Sequence, residues 1–238
     1  MQLSIKSDLK SLTKKLTNIE KKQIPFATAK ALTETGKLIK QAEIEEMKSV
    51  FDRPTNFTLN SLFLKRATKK KQEVTVWLKD WAHKGTPASK YLSPQITGGG
   101  RKLKGFEVLL NKRGILPNGY YTVPGKRAKL DRFGNISKGQ LNQILSYTRS
   151  QRDNAQNTKT ETGRRSTKAK FIVFEPRDGM PGGIWSMKYK GLQPVLIFVK
   201  RPKFRKRLKY HKIAKKTRDK HFDKEFEKAL VFALRTVK

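Results

Sequence analysis

VKRPKFRKRLKYHKIAKKTRDK, residues 199–220, followed by HFDKEFEKALVFALRTVK, residues 221–238, decides how the chain is read. Between Lys200 and Lys220 stand twelve Lys or Arg in twenty-one residues, opposed by Asp219 alone. Beyond them Phe222, Phe226, Ala229, Leu230, Ala233 and Val237 recur at helical spacing, which builds one packing face. A basic surface is thus tied to an element that seeks a core. Pro202 suits a first helical turn continued by Phe204 and Leu208, and the pattern falters over His211–Lys216, which predicts two helices or one kinked helix.

Upstream of this stretch, FIVFE (171–175), GIWSMKYK (183–190) and PVLIFVK (194–200) read as three strands joined by short links, an antiparallel meander. In EVTVWLKD (73–80) Val74, Val76 and Leu78 alternate with Glu73, Thr75, Trp77 and Lys79, the period of a half-buried strand that can add to the meander. Ile5, Leu9, Leu12, Leu16 and Ile19 step by four and three, predicting an N-terminal amphipathic helix. Pro25 then opens a second helix with Phe26, Ala29, Leu32, Ile39, Ala42 and Val50 on its face, and its alanines allow a neighbour to approach closely. Glu43, Glu45 and Glu46 read as a solvated face of that helix, matched to a basic neighbour subunit. After a break at Pro54, Leu59, Leu62 and Phe63 suggest a short helix before a basic turn.

Residues 81–135 are rich in turns, with a short helix near Leu103–Leu110 and tight turns at Asn118-Gly119 and Gly134-Asn135. Ser137 is placed to cap a helix bearing Leu141, Ile144, Leu145 and Thr148. The polar stretch 150–170 reads as a mobile loop. The expected architecture is α+β: an antiparallel sheet of about four strands flanked by N-terminal helices and a C-terminal helix, with a long irregular central insertion. Residues 1–80 and 170–238 would form the main domain, and 81–169 the insertion, whose apolar residues look too scattered for a second core.

The net charge of +36 draws the chain to polyanions and resists compaction. There is no cysteine, which excludes disulfides, thiolate metal sites and Cys nucleophiles. No run approaches the roughly 20 apolar residues of a membrane helix, and MQLSIKSDLK has no apolar signal core, so a soluble, intracellular product without membrane partners is expected.

Catalytic patterns are lacking. His83, His211 and His221 show no metal-ligand spacing. Asp219, Asp223 and Glu227 share a helix flank, but the interleaved Lys220, Lys224 and Lys228 neutralise them at i, i+3 spacing. Gly98-Gly99-Gly100-Arg101-Lys102 departs from the phosphate-loop pattern and reads as a flexible tip. Neither catalytic residue, metal nor cofactor is expected. What remains is cationic surface: Lys65, Arg66, Lys69, Lys70 and Lys71; Arg164 and Arg165; and Lys200, Arg201, Lys203, Arg205, Lys206, Arg207, Lys209, Lys212, Lys215 and Lys216, with Phe204 and Tyr210 interleaved. Such a set suits nucleic-acid backbone or acidic patches on protein neighbours, and no motif for reading bases accompanies it.

The order of parts carries a resemblance. IPFATAKALTETGKLIKQ (24–41), SLFLKRATKKKQEVTVWLKD (61–80) and PVLIFVKRPKFRKRLKYHK (194–212) with a closing helix together resemble the minor tail protein Z family of tailed bacteriophages. FDRPTNFTLNSLFLKRATKK, YLSPQITGGGRKLKGFE and LDRFGNISKGQLNQILSY resemble a widespread group of phage virion proteins described as uncharacterised or as tail-completion proteins. The resemblance covers roughly residues 5–80 and 170–238, with 81–169 as a departure. It implies a non-enzymatic virion protein of the neck, head-tail junction or tail tip, made in the host cytoplasm and needed for tail completion. Implied partners are copies of itself in a ring of sixfold or related symmetry, portal, connector, tail terminator or tail tube proteins, and genomic double-stranded DNA. The other reading is a free, sequence-nonspecific nucleic-acid-binding protein of nucleoid or packaging type.

Overall fold

The elements run in the order β1 (Gln2–Lys6), α1 (Asn18–Val50), α2 (Asn56–Leu59), β2 (Leu62–Lys65), β3 (Glu73–Leu78), α3 (Ala88–Thr97), β4 (Gly99–Gly100), α4 (Gly105–Lys112), β5 (Tyr120–Pro124), α5 (Lys138–Tyr147), β6 (Lys170–Phe174), β7 (Gly183–Met187), β8 (Leu192–Lys200), β9 (Lys203–Phe204) and α6 (Tyr210–Arg235). The structure, a computed structural model, describes residues 2–6, 18–83, 85–158, 170–177, 181–187 and 191–236. The fold is α+β with antiparallel sheets, the largest of four strands. The chain forms two compact units, one of residues 1–98 and 205–238, the other of 99–204.

In the first unit α1 packs along α6 and against a three-stranded sheet of order β1-β3-β2. Ala27 and Ala31 meet Ala229 and Ala233, all buried, with Phe26, Phe222, Phe226 and Leu230 around them. Small residues let the two backbones approach there, as their sequence spacing implied. Further along, Leu32, Ile39 and Met47 cover Val74, Val76 and Leu78 of the central strand, and α3 adds Ala88, Leu92 and Ile96. Gly36 marks the closest approach of α1 to the sheet: a Cβ there would fall 2.5 Å from Val74 Cγ2 and 2.8 Å from Leu64 Cδ1. The Tyr210 hydroxyl donates to the Val76 carbonyl at 2.9 Å, tying the start of α6 to the middle of the sheet.

Several expectations are corrected in this unit. Ile5 lies in a strand, paired with Val74, instead of opening a helix, while Leu9, Leu12 and Leu16 lie outside the described residues. Pro25 is inside α1, not at its start. The helix runs on unbroken through it, without the one hydrogen bond that the proline cannot donate, and nearby the Thr28 hydroxyl donates to the Ile24 carbonyl at 2.9 Å. Leu62 and Phe63 belong to β2, because a short apolar run serves strand and helix alike. Pro202 opens no helix: Lys203–Phe204 is a short strand, and α6 is a single helix through the segment where the pattern falters. Ala214 alone, fully covered, supplies the inward contact of that turn. The strand at Glu73–Leu78 does not extend the meander; it is the centre of its own sheet.

The second unit holds a four-stranded antiparallel sheet of order β5-β8-β7-β6. The three expected strands are present, with a register shift at Ile184/Trp185, and Tyr120–Pro124 joins them along β8. Helices α4 and α5, with the turn after α4, cover one face, burying Leu110, Leu116, Ile144 and Leu145 against Phe171, Ile184, Leu196 and Phe198. Ser137 caps α5 by accepting from the Gln140 N–H. Of the polar stretch 150–170, residues 159–169 lie outside the described residues, whereas its first part folds back on α5, where the Ser146 hydroxyl donates to the Gln156 carbonyl at 2.8 Å. The division of the chain therefore falls elsewhere than at residues 80 and 169. The meander packs with the stretch read as an insertion, whose apolar residues are scattered in sequence but converge on one sheet face and make a second core.

Candidate polyanion-contact surfaces

Every described member of the cationic set is exposed: Lys65, Arg66, Lys69, Lys70, Lys71, Lys200, Arg201, Lys203, Arg205, Lys206, Arg207, Lys209, Lys212, Lys215 and Lys216. Arg164 and Arg165 lie outside the described residues. Within the first unit the cations fall into two clusters on hydrogen-bonded backbone.

The first cluster is the turn between β2 and β3. Thr68 and Lys71 close it reciprocally, the Thr68 N–H donating to the Lys71 carbonyl and the Lys71 N–H to the Thr68 hydroxyl, both at 2.9 Å. Ala67 N–H donates to the Thr33 hydroxyl of α1 at 3.2 Å, which docks the turn on the helix. Lys69 Nζ lies 5.2 Å from the Phe26 ring centre. Within this cluster and among the described residues, only Lys71 meets an acid, Glu73 at 3.5 Å.

The second cluster leads into α6. The N–H groups of Arg207 and Leu208 both donate to the Gln95 carbonyl, at 2.8 and 3.0 Å, and Leu208 and Tyr210 are buried anchors. Arg205, Lys206 and Lys209 are left outward. The Arg207 guanidinium donates to the Val50 carbonyl at the end of α1, where the helix dipole favours a cation. Lys212 sits in the first turn of α6, which contains no acid, so there the dipole disfavours it and an incoming anion would relieve the conflict. The contacts at Phe26 and Val50 place the two clusters toward opposite ends of α1, about 36 Å apart at roughly 1.5 Å per residue.

Lys215 and Lys216 follow on α6. Lys216, with Lys220 and His221, faces Glu45 and Glu46 of α1 across an open cleft of about 550 Å³. The acids expected to face a neighbouring subunit thus look toward basic residues of their own chain. Glu43 differs from both. It is fully buried, neither carboxylate oxygen has a hydrogen-bond partner, and burial, helped by the charge of Glu46, pushes its pKa up to about 8. Reading it as solvated is a correction; it lies four residues from Ile39 and four from Met47, on the packed stripe.

Lys200, Arg201 and Lys203 belong to the second unit, at the end of β8 and on β9. Gly99 pairs with Phe204 and Gly100 with Lys203, so the glycine run is a strand edge and not a flexible tip. A Cβ on Gly100 would collide with the Arg201 guanidinium. Arg101, beside it, is turned inward. Its two terminal nitrogens each donate to one oxygen of buried Glu107 at 2.6 Å, and Glu107 also accepts from Lys104 N–H, Thr122 N–H and the Thr122 hydroxyl. Burial would raise the Glu107 pKa, but the Arg101 bonds and the backbone donors outweigh it and hold the carboxyl below its usual range. Sequence reasoning missed Arg101 and Glu107; a Glu three residues after the residue preceding a helix was the available sign.

Among the described residues no three His, Asp or Glu side chains gather where they could hold a metal, and no helix is long and apolar enough to cross a membrane. No protein-family model, curated protein or solved structure matches the chain.

Proposed function

We propose that this chain is a non-enzymatic structural protein of a tailed-phage virion, placed at the neck, head-tail junction or tail tip. In this reading it is required for tail completion, assembles as a ring, and contacts adjacent ring proteins and the DNA end. The observation that carries it is that exposed cations stand on hydrogen-bonded backbone in separate patches, as a part that meets polyanionic surfaces at set positions requires. The resemblance of residues 24–41, 61–80 and 194–212 to the minor tail protein Z family supports the virion half. Val231, Phe232 and Leu234 near the end of α6 are about half exposed and give a ring neighbour apolar surface to bury.

Mass spectrometry of purified particles tests this reading: the chain is found in the virion, and particles lacking it have unfinished or unattached tails. Its absence from particles overturns the proposal. The reading as a free nucleic-acid-binding protein of nucleoid or packaging type is favoured by the +36 charge alone. Monomeric protein that coats DNA without virion partners would establish that alternative.

A further inference from the structure

A second kind of site lies in the first unit, at the end of the β2-β3 hairpin away from the basic turn. Phe57, Ser61, Trp81 and Ala88, with Asn56, Asn60, Lys79 and His83 around them, enclose a pocket of about 270 Å³. Its walls are aromatic and open to solvent: Phe57 is 50% exposed and Trp81 60%. Phe57 stacks on the Tyr91 ring, 6.5 Å between centres with 28° between the planes, and Lys79 Nζ lies 5.8 Å from the centre of the Trp81 ring. Ser61 is only 2% exposed, and its hydroxyl oxygen has no hydrogen-bond partner within the protein. The Ser61 backbone is committed, its N–H to the Thr58 carbonyl and its carbonyl to the Lys79 N–H, so the side chain is held in place.

A buried hydroxyl without a partner is costly, and two large aromatic side chains left in water at one pocket are costly as well. A single flat ligand would cover both aromatic walls by stacking on them, with the Asn56 and Asn60 amides at its edge. The volume is just under the roughly 300 to 1,000 Å³ of drug-sized ligand pockets and suits one ring system. Amides at the rim can meet donor and acceptor groups on a ring edge, and Lys79 can meet a phosphate beside it. We infer that this pocket binds an unstacked nucleobase, so that the protein holds single-stranded nucleic acid, such as an unpaired end, in addition to contacting phosphates. The inference rests on the polyanion half of the proposed function, since phosphate contacts bring the strand to the protein, and it adds a recognition that charge alone does not give.

The experiment uses the full chain, with fluorescein-labelled oligo(dT) and a blunt duplex titrated at low and at high salt. Phosphate contacts weaken steeply with salt on both ligands, whereas base stacking persists on the single strand. The expected result is a preference for oligo(dT) that grows with salt. Trp81→Ala should weaken oligo(dT) binding by about fivefold to about hundredfold and leave the duplex within about twofold. Trp81→Phe, which keeps an aromatic face, should retain the preference, and Phe57→Ala should lose part of it. A wild type that binds both ligands alike at high salt, or a Trp81→Ala that weakens both equally, overturns the pocket assignment. Quenching of tryptophan fluorescence by neutral oligosaccharides but not by oligo(dT), seen in the wild type and lost in Trp81→Phe, would make this a sugar site and equally overturn it. Absence of duplex binding even at low salt would instead sink the polyanion reading, so the two failures are told apart.

Discussion

Arg101 grips Glu107 through two parallel hydrogen bonds of 2.6 Å, with the Glu107 carboxylate fully buried and three further donors directed at it. The pair joins the segment before α4 to strand β5, so its removal should be felt across the second unit. Arg101→Met strands a buried carboxylate, and a loss of about 3 to 5 kcal/mol is expected in urea denaturation. Because the Glu107 pKa is depressed in the folded protein, its contribution is present above the unfolded value near 4.5 and is lost as pH falls through the folded value. The wild type should therefore lose stability below about pH 4.5, and Glu107→Gln should flatten that part of the curve.

Glu43 should impose the opposite trend. Its pKa rises from 4.5 to about 8 on folding, so the stabilising preference for the protonated form is complete below 4.5 and is lost as pH rises through about 8. Stability should decline across that window with a limiting slope of about 1.4 kcal/mol per pH unit, measured by denaturant midpoints at a series of pH values. Glu43→Met should remove the decline and gain about 1 to 3 kcal/mol near neutrality.

The alanine seam between α1 and α6 admits no larger side chain. Ala31→Leu should cost about 1 to 3 kcal/mol through overpacking. Val231→Ser, on an exposed position of α6, should stay within about 0.5 kcal/mol in the same thermal or chemical melts. Equal effects from the two would contradict the placement of the seam.

Charge removal should act patch by patch. Lys69→Gln with Lys70→Gln should reduce the log-log salt slope of duplex binding by about 0.9 for each phosphate that is no longer neutralised. Arg205→Gln with Lys206→Gln should do so independently, because the two clusters lie toward opposite ends of α1. Filter binding across a salt series measures both, and additivity of the combined variant is expected.

Much of the architecture was legible. Val74, Val76 and Leu78 announce a strand by period, and Ser137 announces the start of a helix because its hydroxyl accepts the Gln140 N–H. Phe222, Phe226, Ala229 and Ala233 mark the packing face of α6 directly. The failures have physical causes. Gln2–Lys6 is a strand through its pairing with β3, a long-range pairing that no local period reveals. Leu110 and Leu116 look isolated until α4, α5 and the meander bring them together with Ile144 and Phe198. Of the candidate surface, the identity of the cations was readable because charge is additive in composition. Their division into separate patches was not, since it depends on where Gln95, Thr33 and Val50 offer partners. Phe57, Ser61 and Trp81 are spread over twenty-five residues and meet only once β2 and β3 are paired.

The short pairing of Gly99 with Phe204 has a genetic consequence. The second unit begins and ends on neighbouring strands, so its entry and exit points are about one strand spacing apart, roughly 5 Å. With so narrow a footprint, a gene in which Gly99–Phe204 is replaced by a short linker between Gly98 and Arg205 should still encode a first unit that folds.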